Sequence, residues 1–329
     1  MDVISFTAPK ITAVILNWRS PIDTIKTVKA LISSNQYPMN IIIVDNASGD
    51  SSLDIIEKEL SSLEIYITRL DQNMNTAIES KEKDDQIILI QNKNNLGYAG
   101  GNNIGIKTAI HKFQAKYVLI VNTDARPKDK AIQKLVETME INTDAAFCTG
   151  VLVYPGEENK VQCIGGGSYY PLLGRSRLLG KGKNVHDIKK ADIKIDYLMG
   201  ACLLVRTDAI LDFGLMDEDY FLYAEEMDWQ RHAKNAGWKL IVCKDAIIEH
   251  GDSVTTKGSG RSHLFYYYIN RAAILFNIKW YGILFALLST PFVIIGAIYQ
   301  AKNFMNIFYA LKGILHGYLG VIGIYRSHD

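Results

Sequence analysis

Four short apolar runs, each stopping abruptly at a cluster of Asn, Asp, Ser or Gly, constrain this chain more than any other feature. They are Ile11 to Leu16, Asn40 to Val44, Ile87 to Gln91 and Tyr117 to Asn122. Continuous apolar character over about five residues reads as a strand buried on both faces, the pattern of parallel sheets. Helical spacing separates the runs: Ile25, Val28, Leu31 and Ile32 behind Pro21, then a helix from about Ser52 to Leu60, then one from about Gly101 to Phe113. Strands alternating with helices of this length predict βαβ units and an α/β fold with a mostly parallel sheet.

Composition narrows the class without naming it. The 329 residues are 48% hydrophobic and 22% charged, which excludes disordered and low-complexity polymers, and a net charge of +1 gives no field for nucleic acid. That balance is an average of unlike parts. Leu264 to Asp329 carries Arg271, Lys279, Lys302, Lys312 and Arg326 against one acid, a net of +4, which leaves −3 for the rest. The division expected from this is a mildly acidic body over residues 1–262 and an apolar, basic helical segment over 263–329. Cys148, Cys163, Cys202 and Cys243 are widely spaced and form no C-x-x-C, so they read as free buried thiols. Met1 to Lys10 has neither the basic nor the apolar stretch of a secretory signal. Gly174 to Lys181 fails as a phosphate loop, with five residues between its glycines and Gly182 in place of Ser or Thr.

Two stretches read as connections. Arg69 to Asp85 is polar and is expected to form a surface excursion, and Gly156 to Lys190, with Gly165, Gly166 and Gly167, a flexible loop.

In open α/β sheets ligands bind beyond the carboxyl ends of the strands. Four polar clusters fall there. Asp45 to Asp50 offers a carboxylate that either accepts an imide or amide N–H of a nucleobase or caps the next helix. Asn94 to Asn103 combines small residues with amides, as either a ligand loop or a plain turn would. Asn122, Thr123 and Asp124 place oxygen ligands at i and i+2, which point the same way if the segment is extended and suit a hard cation. Glu225, Glu226 and Asp228 lie between Tyr220, Phe221, Tyr223 and Trp229. Acids at a helix start complement its dipole, but aromatic surroundings also raise a carboxylate toward useful base strength.

Taken in order, these clusters resemble the family 2 glycosyltransferases of GT-A fold, in particular a rhamnosyltransferase-like, non-processive branch. The likeness rests on Ile15 to Trp18, Val44 to Ser48, Asn95 to Asn103, Asn122 to Asp124, Gly200 to Arg206, Glu225 to Asp228 and His250, and spans roughly Ile11 to Trp280. It implies that Asp45 reads the base, with Leu16, Asn17, Asn95, Gly97, Asn102, Asn122 and Thr123 around the nucleotide sugar. It makes Asp124 and His250 the ligands of Mg²⁺ or Mn²⁺. The group's usual Glu-Asp-x-Asp is Glu225-Glu226-x-Asp228 here, and its first D-x-D aspartate is Asn122. Matching by position puts the base at Glu226. Spacing alone leaves Glu225 open, because Glu225 and Asp228 share a helix face and Glu226 lies about 100° away.

The implied reaction is an inverting, metal-dependent, single displacement from dTDP-rhamnose, or a UDP-sugar, to a saccharide hydroxyl in bacterial cell-surface polysaccharide synthesis. No Q-x-x-R-W motif follows the acids, as it does in processive synthases. A catalytically idle nucleotide-sugar-binding assembly protein and a sugar nucleotidyltransferase are the alternatives. The intact acids oppose the first, and the lack of a Gly-rich phosphate signature opposes the second.

Between Lys279 and Lys302 lie 22 uncharged residues, interrupted at Ser289-Thr290-Pro291. The expectation is helices lying in the cytoplasmic leaflet of the plasma membrane, with Tyr266, Tyr267, Tyr268, Trp280 and Tyr281 at headgroup level and the +4 charge drawn to anionic lipid. A lipid-linked acceptor would suit that location. Packing of the tail on the catalytic body, or in a homodimer, is the competing arrangement.

Overall fold

The computed structural model describes residues 10–34, 37–63, 65–71, 86–188, 194–251, 262–301 and 303–325. The four apolar runs form β1 (Ile11–Asn17), β2 (Met39–Asp45), β4 (Gln86–Gln91) and β5 (Tyr117–Val121), with β3 (Tyr66–Asp71) as a further parallel strand at the sheet edge. Between them run α1 (Pro21–Ser34), α2 (Ser52–Leu60) and α3 (Gly97–Phe113). After β6 (Ala125–Pro127) and α4 (Ala131–Ile141) come β7 (Ala145–Tyr154), β8 (Glu157–Cys163), β9 (Gly166–Tyr170), β10 (Arg175–Leu178) and the short α5 (Val185–Ile188). The body closes with β11 (Tyr197–Leu198), β12 (Cys202–Arg206), α6 (Thr207–Phe213), α7 (Glu225–Asn235) and β13 (Lys239–His250).

The main sheet has the order β3-β4-β2-β1-β5-β12-β7-β13-β6, with β8 on β7. Its half from β3 to β5 is parallel, and β12 enters antiparallel between β5 and β7. Alternate residues of β1 face opposite layers. Ala13 and Ile15 meet the α1 layer with Val28 and Leu31, whereas Val14 meets the layer of Ile106 and Trp229. Gly101 and Gly105 of α3 sit so close to β1 that a Cβ would strike Leu16 and Val14, so these small residues serve helix-on-sheet packing.

Several expectations change. The expected flexible loop from Gly156 to Lys190 is, over its described residues 156–188, built of β8, β9, β10 and α5, and β9 centres a three-stranded sheet with β10 and β11. Gly165, Gly166 and Gly167 are required by close packing, since a Cβ on Gly166 would meet the Tyr197 carbonyl oxygen. The third helix begins at Gly97, not Gly101. Residues 72–85 of the expected excursion lie outside the described residues, while Arg69 to Asp71 belong to β3. All four cysteines are free and buried.

The tail forms α8 (His263–Tyr281), α9 (Ile283–Gln300) and α10 (Phe304–Tyr318). Tyr266, Tyr267 and Tyr268 are buried, which removes them from headgroup level. Their hydroxyls are engaged with the Gln300 carbonyl, His316 Nδ1 and the Tyr325 N–H respectively. Trp280 is likewise turned to the body, donating its indole N–H to Asp228. Nor is the tail's charge all available to lipid: Arg271 is fully buried, and Lys279 pairs with Asp217 and Asp228. Lys302 and Arg326 lie outside the described residues.

Candidate active site

The ends of β1, β2 and β5 and the start of α3 meet in one hydrogen-bonded group. Asn17 Nδ2 and Ser48 Oγ donate to Asp45 Oδ1 at 2.7 and 2.6 Å, and the Ser48 N–H donates to Asp45 Oδ2 at 3.1 Å. Asp45 thus closes its own turn and is almost wholly buried, and among the described residues Oδ2 has the one donor against a capacity of two. Asn46 donates to Asn95 Oδ1 and the Gly97 carbonyl, and accepts from Asn92 and the Leu96 N–H, fixing the segment that leads into α3. Gly97 has φ +72° and lies against the Phe221 carbonyl, where no side chain fits. Leu16 packs under α3. Asn102 is buried, donates to the Tyr98 carbonyl and has no partner for its Oδ1 among the described residues.

Asn122 to Asp124 is a tight turn, closed by the Ala125 N–H on the Asn122 carbonyl at 3.0 Å. The extended arrangement expected for these side chains is therefore absent, because the strand stops at Val121. The two diverge in what they meet. Asn122 Oδ1 accepts from the Tyr98 hydroxyl at 3.0 Å, whereas Asp124 Oδ1 lies 3.4 Å from His250 Nε2. The Thr123 carbonyl accepts from Thr27.

His250 reaches Asp124 because β13 pairs antiparallel with β6, which sets His250 opposite Ala125. It ends the same strand that starts at Lys239, irregular between Val242 and Ile247, rather than following a turn. Its Nδ1 lies 2.7 Å from Gln162 Oε1 on β8. An amide oxygen there favours a proton on Nδ1 and leaves the Nε2 lone pair toward Asp124, the arrangement of a metal-ligating imidazole. Asp124 Oδ2 is buried and has no partner among the described residues. An orphaned carboxylate oxygen beside an oriented imidazole fits a divalent cation that takes its remaining ligands from a substrate. Among the described residues no group of three or more His, Cys, Asp or Glu converges, and Asp124 and His250 are the pair that could hold such an ion.

The acids of α7 separate by environment. Glu226 is half-buried, its Cβ and Cγ 3.6 and 3.7 Å from where a Cβ on Gly200 would stand, beside the Tyr98 hydroxyl. Glu225 is buried, and its Oε2 has no partner among the described residues. Burial raises both carboxyls above the ordinary glutamate value, and the Glu226 charge raises Glu225 further. Asp228 is fully buried and saturated, accepting from Tyr220 (3.1 Å), Trp280 (2.7 Å) and Lys279 (2.8 Å). Immediately before them Phe221, Tyr223 and Ala224 adopt φ of +62°, +69° and +69°, a concentration of backbone strain that ordinarily marks functional segments.

Tyr98 links the parts. Its hydroxyl meets Asn122 and the Gly200 carbonyl, and burial, then the charges of Glu226, Glu225 and Asp124, holds it well above the usual phenol value. The structure therefore sets Asn122 and Glu226 around the Tyr98 hydroxyl, with Asp124 near enough for its charge to act on the phenol and His250 beside Asp124, while Asp45 and Asn17 are joined to the start of α3 through Asn46. Asp228 is turned away from this group. Tyr98, Gly200 and Gln162 were not singled out as site residues by sequence reasoning. Tyr98 and Gly200 stood inside recognisable motifs, whereas nothing in the polar strand around Gln162 marks it.

This fold and site define the GT-A class of glycosyltransferase. The glycosyl transferase family 2 profile matches residues 22–212, and the chain belongs to that family. It is 21% identical over 213 residues to the low-salt glycan biosynthesis hexosyltransferase Agl10 of Haloferax volcanii, covering 65% of this chain and 67% of the relative. It is 32% identical over 77 residues to the N-acetylglucosaminyl-diphospho-decaprenol L-rhamnosyltransferase of Mycobacterium tuberculosis, covering 23% of this chain and 25% of that protein. Among solved structures, GalNAc-T7 with UDP, GalNAc and Mn²⁺ superposes with a TM-score of 0.59 at 14% identity, covering 82% of this chain and 48% of that one. The protein is a glycosyltransferase.

Proposed function

We propose that the chain transfers one sugar per encounter, with inversion, from a nucleoside-diphosphate donor to a hydroxyl of a lipid-linked saccharide in bacterial cell-envelope polysaccharide synthesis. dTDP-rhamnose is the favoured donor, with UDP-sugars next. The rhamnosyltransferase relative supports that sugar, and an imide N–H directed at the open lone pair of Asp45 suits thymine or uracil. The observation that carries the reading is the gathering of Glu226 and Asp124, the latter beside His250, around Tyr98.

Asn17, Asp45, Leu16, Asn95 and Gly97 line the nucleotide end, with Asn102 supporting the start of α3. Glu226, made more basic by burial, takes the proton of the acceptor hydroxyl as its oxygen attacks the anomeric carbon. Tyr98, kept protonated, holds Asn122 and the Gly200 carbonyl in place beside that carboxylate. Asp124 and His250 would hold Mg²⁺ or Mn²⁺, which when bound supplies positive charge for the leaving diphosphate. Gln162 orients the imidazole.

The acceptor's lipid character is supported by α9 and α10. Their inner faces are mostly small or polar, with Ala286, Ser289 and Ala297, then Asn306, Ala310, Gly313 and Gly317, beside an apolar contact of Val293 and Ile314 with Ile274. Their outer faces are large and apolar: Leu284 is 80% exposed and Phe304 77%. Such a contiguous apolar face marks a membrane surface. α9 is long and apolar enough to cross a bilayer. Yet Ser289 is bonded to Asn277 of α8, Val293 abuts Gly174 and Gly296 approaches Arg175, so the helix runs along the body and is read here as lying in the cytoplasmic leaflet.

Thermal denaturation with a panel of dTDP-, UDP- and GDP-sugars, with and without Mg²⁺ or Mn²⁺, tests the donor. Metal-dependent stabilisation by dTDP- or UDP-sugars is expected. No shift with any donor would favour an idle scaffold.

A further inference from the structure

We propose that Lys279 and Trp280, together with Arg271, are positioning residues for the acid-bearing segment, so that α8 of the tail completes the catalytic site. The inference rests on the reading of Glu226 as base.

Three features of the segment from Tyr220 to Asp228 point to α8. The carboxylate of Asp228 takes two of its three close donors from that helix, the Trp280 indole N–H and the Lys279 ammonium. Asp228 stands two residues after Glu226 on α7, so its attachment sets the rotation and depth of the turn that carries the base. Lys279 also reaches Asp217 at 2.7 Å, spanning the strained stretch from both sides.

Next, Arg271 is fully buried, and among the described residues its guanidinium bonds carbonyls rather than a carboxylate. Nη2 donates to the Tyr220 carbonyl at 2.6 Å and Nη1 to the Gly323 carbonyl at 2.8 Å, with the rings of Tyr267 and Tyr268 beneath. A desolvated cation is a costly means of filling space, so its retention implies that the direction of its hydrogen bonds matters. Those bonds fix the residue that precedes the left-handed run.

Finally, Phe221 is bonded in two directions: its ring stacks on Tyr268 with centroids 5.1 Å apart, and its carbonyl accepts the Tyr98 N–H at 2.7 Å. Tyr98 is the residue that meets Asn122 and Gly200. A path of direct contacts thus runs from α8 through Phe221 to the group around Glu226. Three non-glycine residues at positive φ do not hold that shape unaided. The tail supplies what holds it.

The test uses the full chain and measures turnover of the donor identified by thermal shift, with Lys279→Met, Trp280→Phe and Lys279→Arg. Misplacement of a base costs turnover more than ground-state binding, so Lys279→Met is expected to lose at least roughly tenfold in kcat while donor KM and nucleotide affinity stay within roughly twofold. Lys279→Arg should recover most of that loss and Trp280→Phe should fall between. Hydrogen exchange of the Tyr220 to Asp228 amides should quicken in Lys279→Met while β1 and β5 stay protected, a readout that needs no substrate. Unchanged kcat in Lys279→Met, or loss of nucleotide binding in step with activity, would overturn the proposal. A wild-type chain that turns over no donor would instead overturn the transferase reading and this inference with it.

Discussion

The catalytic body and the C-terminal helices use the same apolar residue types in opposite ways. In the body, Ile15, Ile42, Leu31 and Trp229 are buried between sheet and helices, and polar side chains gather at the strand ends. In α8 to α10, Arg271, Asn277, Ser289 and His316 are inside, while Leu284, Phe292, Ile295 and Leu315 face outward. One part is ordered by withdrawing apolar surface from water. The other hides its polar groups among partners and leaves its apolar surface for something else. The contrast shows that the outer face of the tail is suited to an apolar surrounding, while its inner face joins the body through aromatic packing as well as polar contacts.

That contrast is broken most decisively at the outer face. Replacing Leu284, Leu288, Ile295 and Phe304 together by Ser removes side chains worth about 1.5–3 kcal/mol each when buried. Co-sedimentation with anionic vesicles should fall by several orders of magnitude, with the detergent-solubilised melting temperature nearly unchanged. A large fall in melting temperature would mean that those side chains support the fold itself. The mirror experiment lies in the body: Leu31→Ala should cost about 2–5 kcal/mol in urea unfolding and leave vesicle binding intact. At the strand ends, Gln162→Ala should weaken Mn²⁺-dependent nucleotide binding by about 10–100-fold, because His250 loses its orienting partner. Equal binding with and without Gln162 would remove it from the site.

The smallest effect concerns stability and pH. Glu225 has a folded-state pKa raised by burial and by Glu226, so folding binds a proton that the unfolded chain releases. Its contribution is fully present below the ordinary glutamate value of about 4.3 and is lost as pH rises through the folded value. Glu225→Gln should therefore raise the melting temperature at pH 8 and leave it unchanged near pH 4. A lower melting temperature at pH 8 would contradict this.

Local pattern sufficed where burial is continuous. β1, β2, β4 and β5 were legible because parallel strands covered on both faces read as unbroken apolar runs, and Ser52–Leu60 because it lies between turn residues and a helical repeat. What depends on distant partners was not. The polar, glycine-rich strands β8 to β10 gain their pairing from β7 and β11, so their own residues read as loop. Tyr266, Tyr267 and Tyr268 resemble an interfacial belt in sequence, but α8 is apolar on nearly every side, and only packing against α10 and the segment ending at Tyr325 shows that they face inward. In the site, Asp124 and His250 carried a recognisable pattern, whereas Gln162 depends on strand register. The acids were legible as a cluster. Helical spacing could not divide them, because it fixes relative angles and not which face meets Gly200.

The most direct test of the account compares Glu226→Gln and Glu225→Gln in one transfer assay with the donor selected by thermal shift. Loss of a general base costs about 10²–10⁴-fold. Glu226→Gln should fall by that range with nucleotide binding intact, and Glu225→Gln should retain most of its turnover. Substantial turnover in Glu226→Gln, or its loss in Glu225→Gln alone, would contradict the assignment of the base.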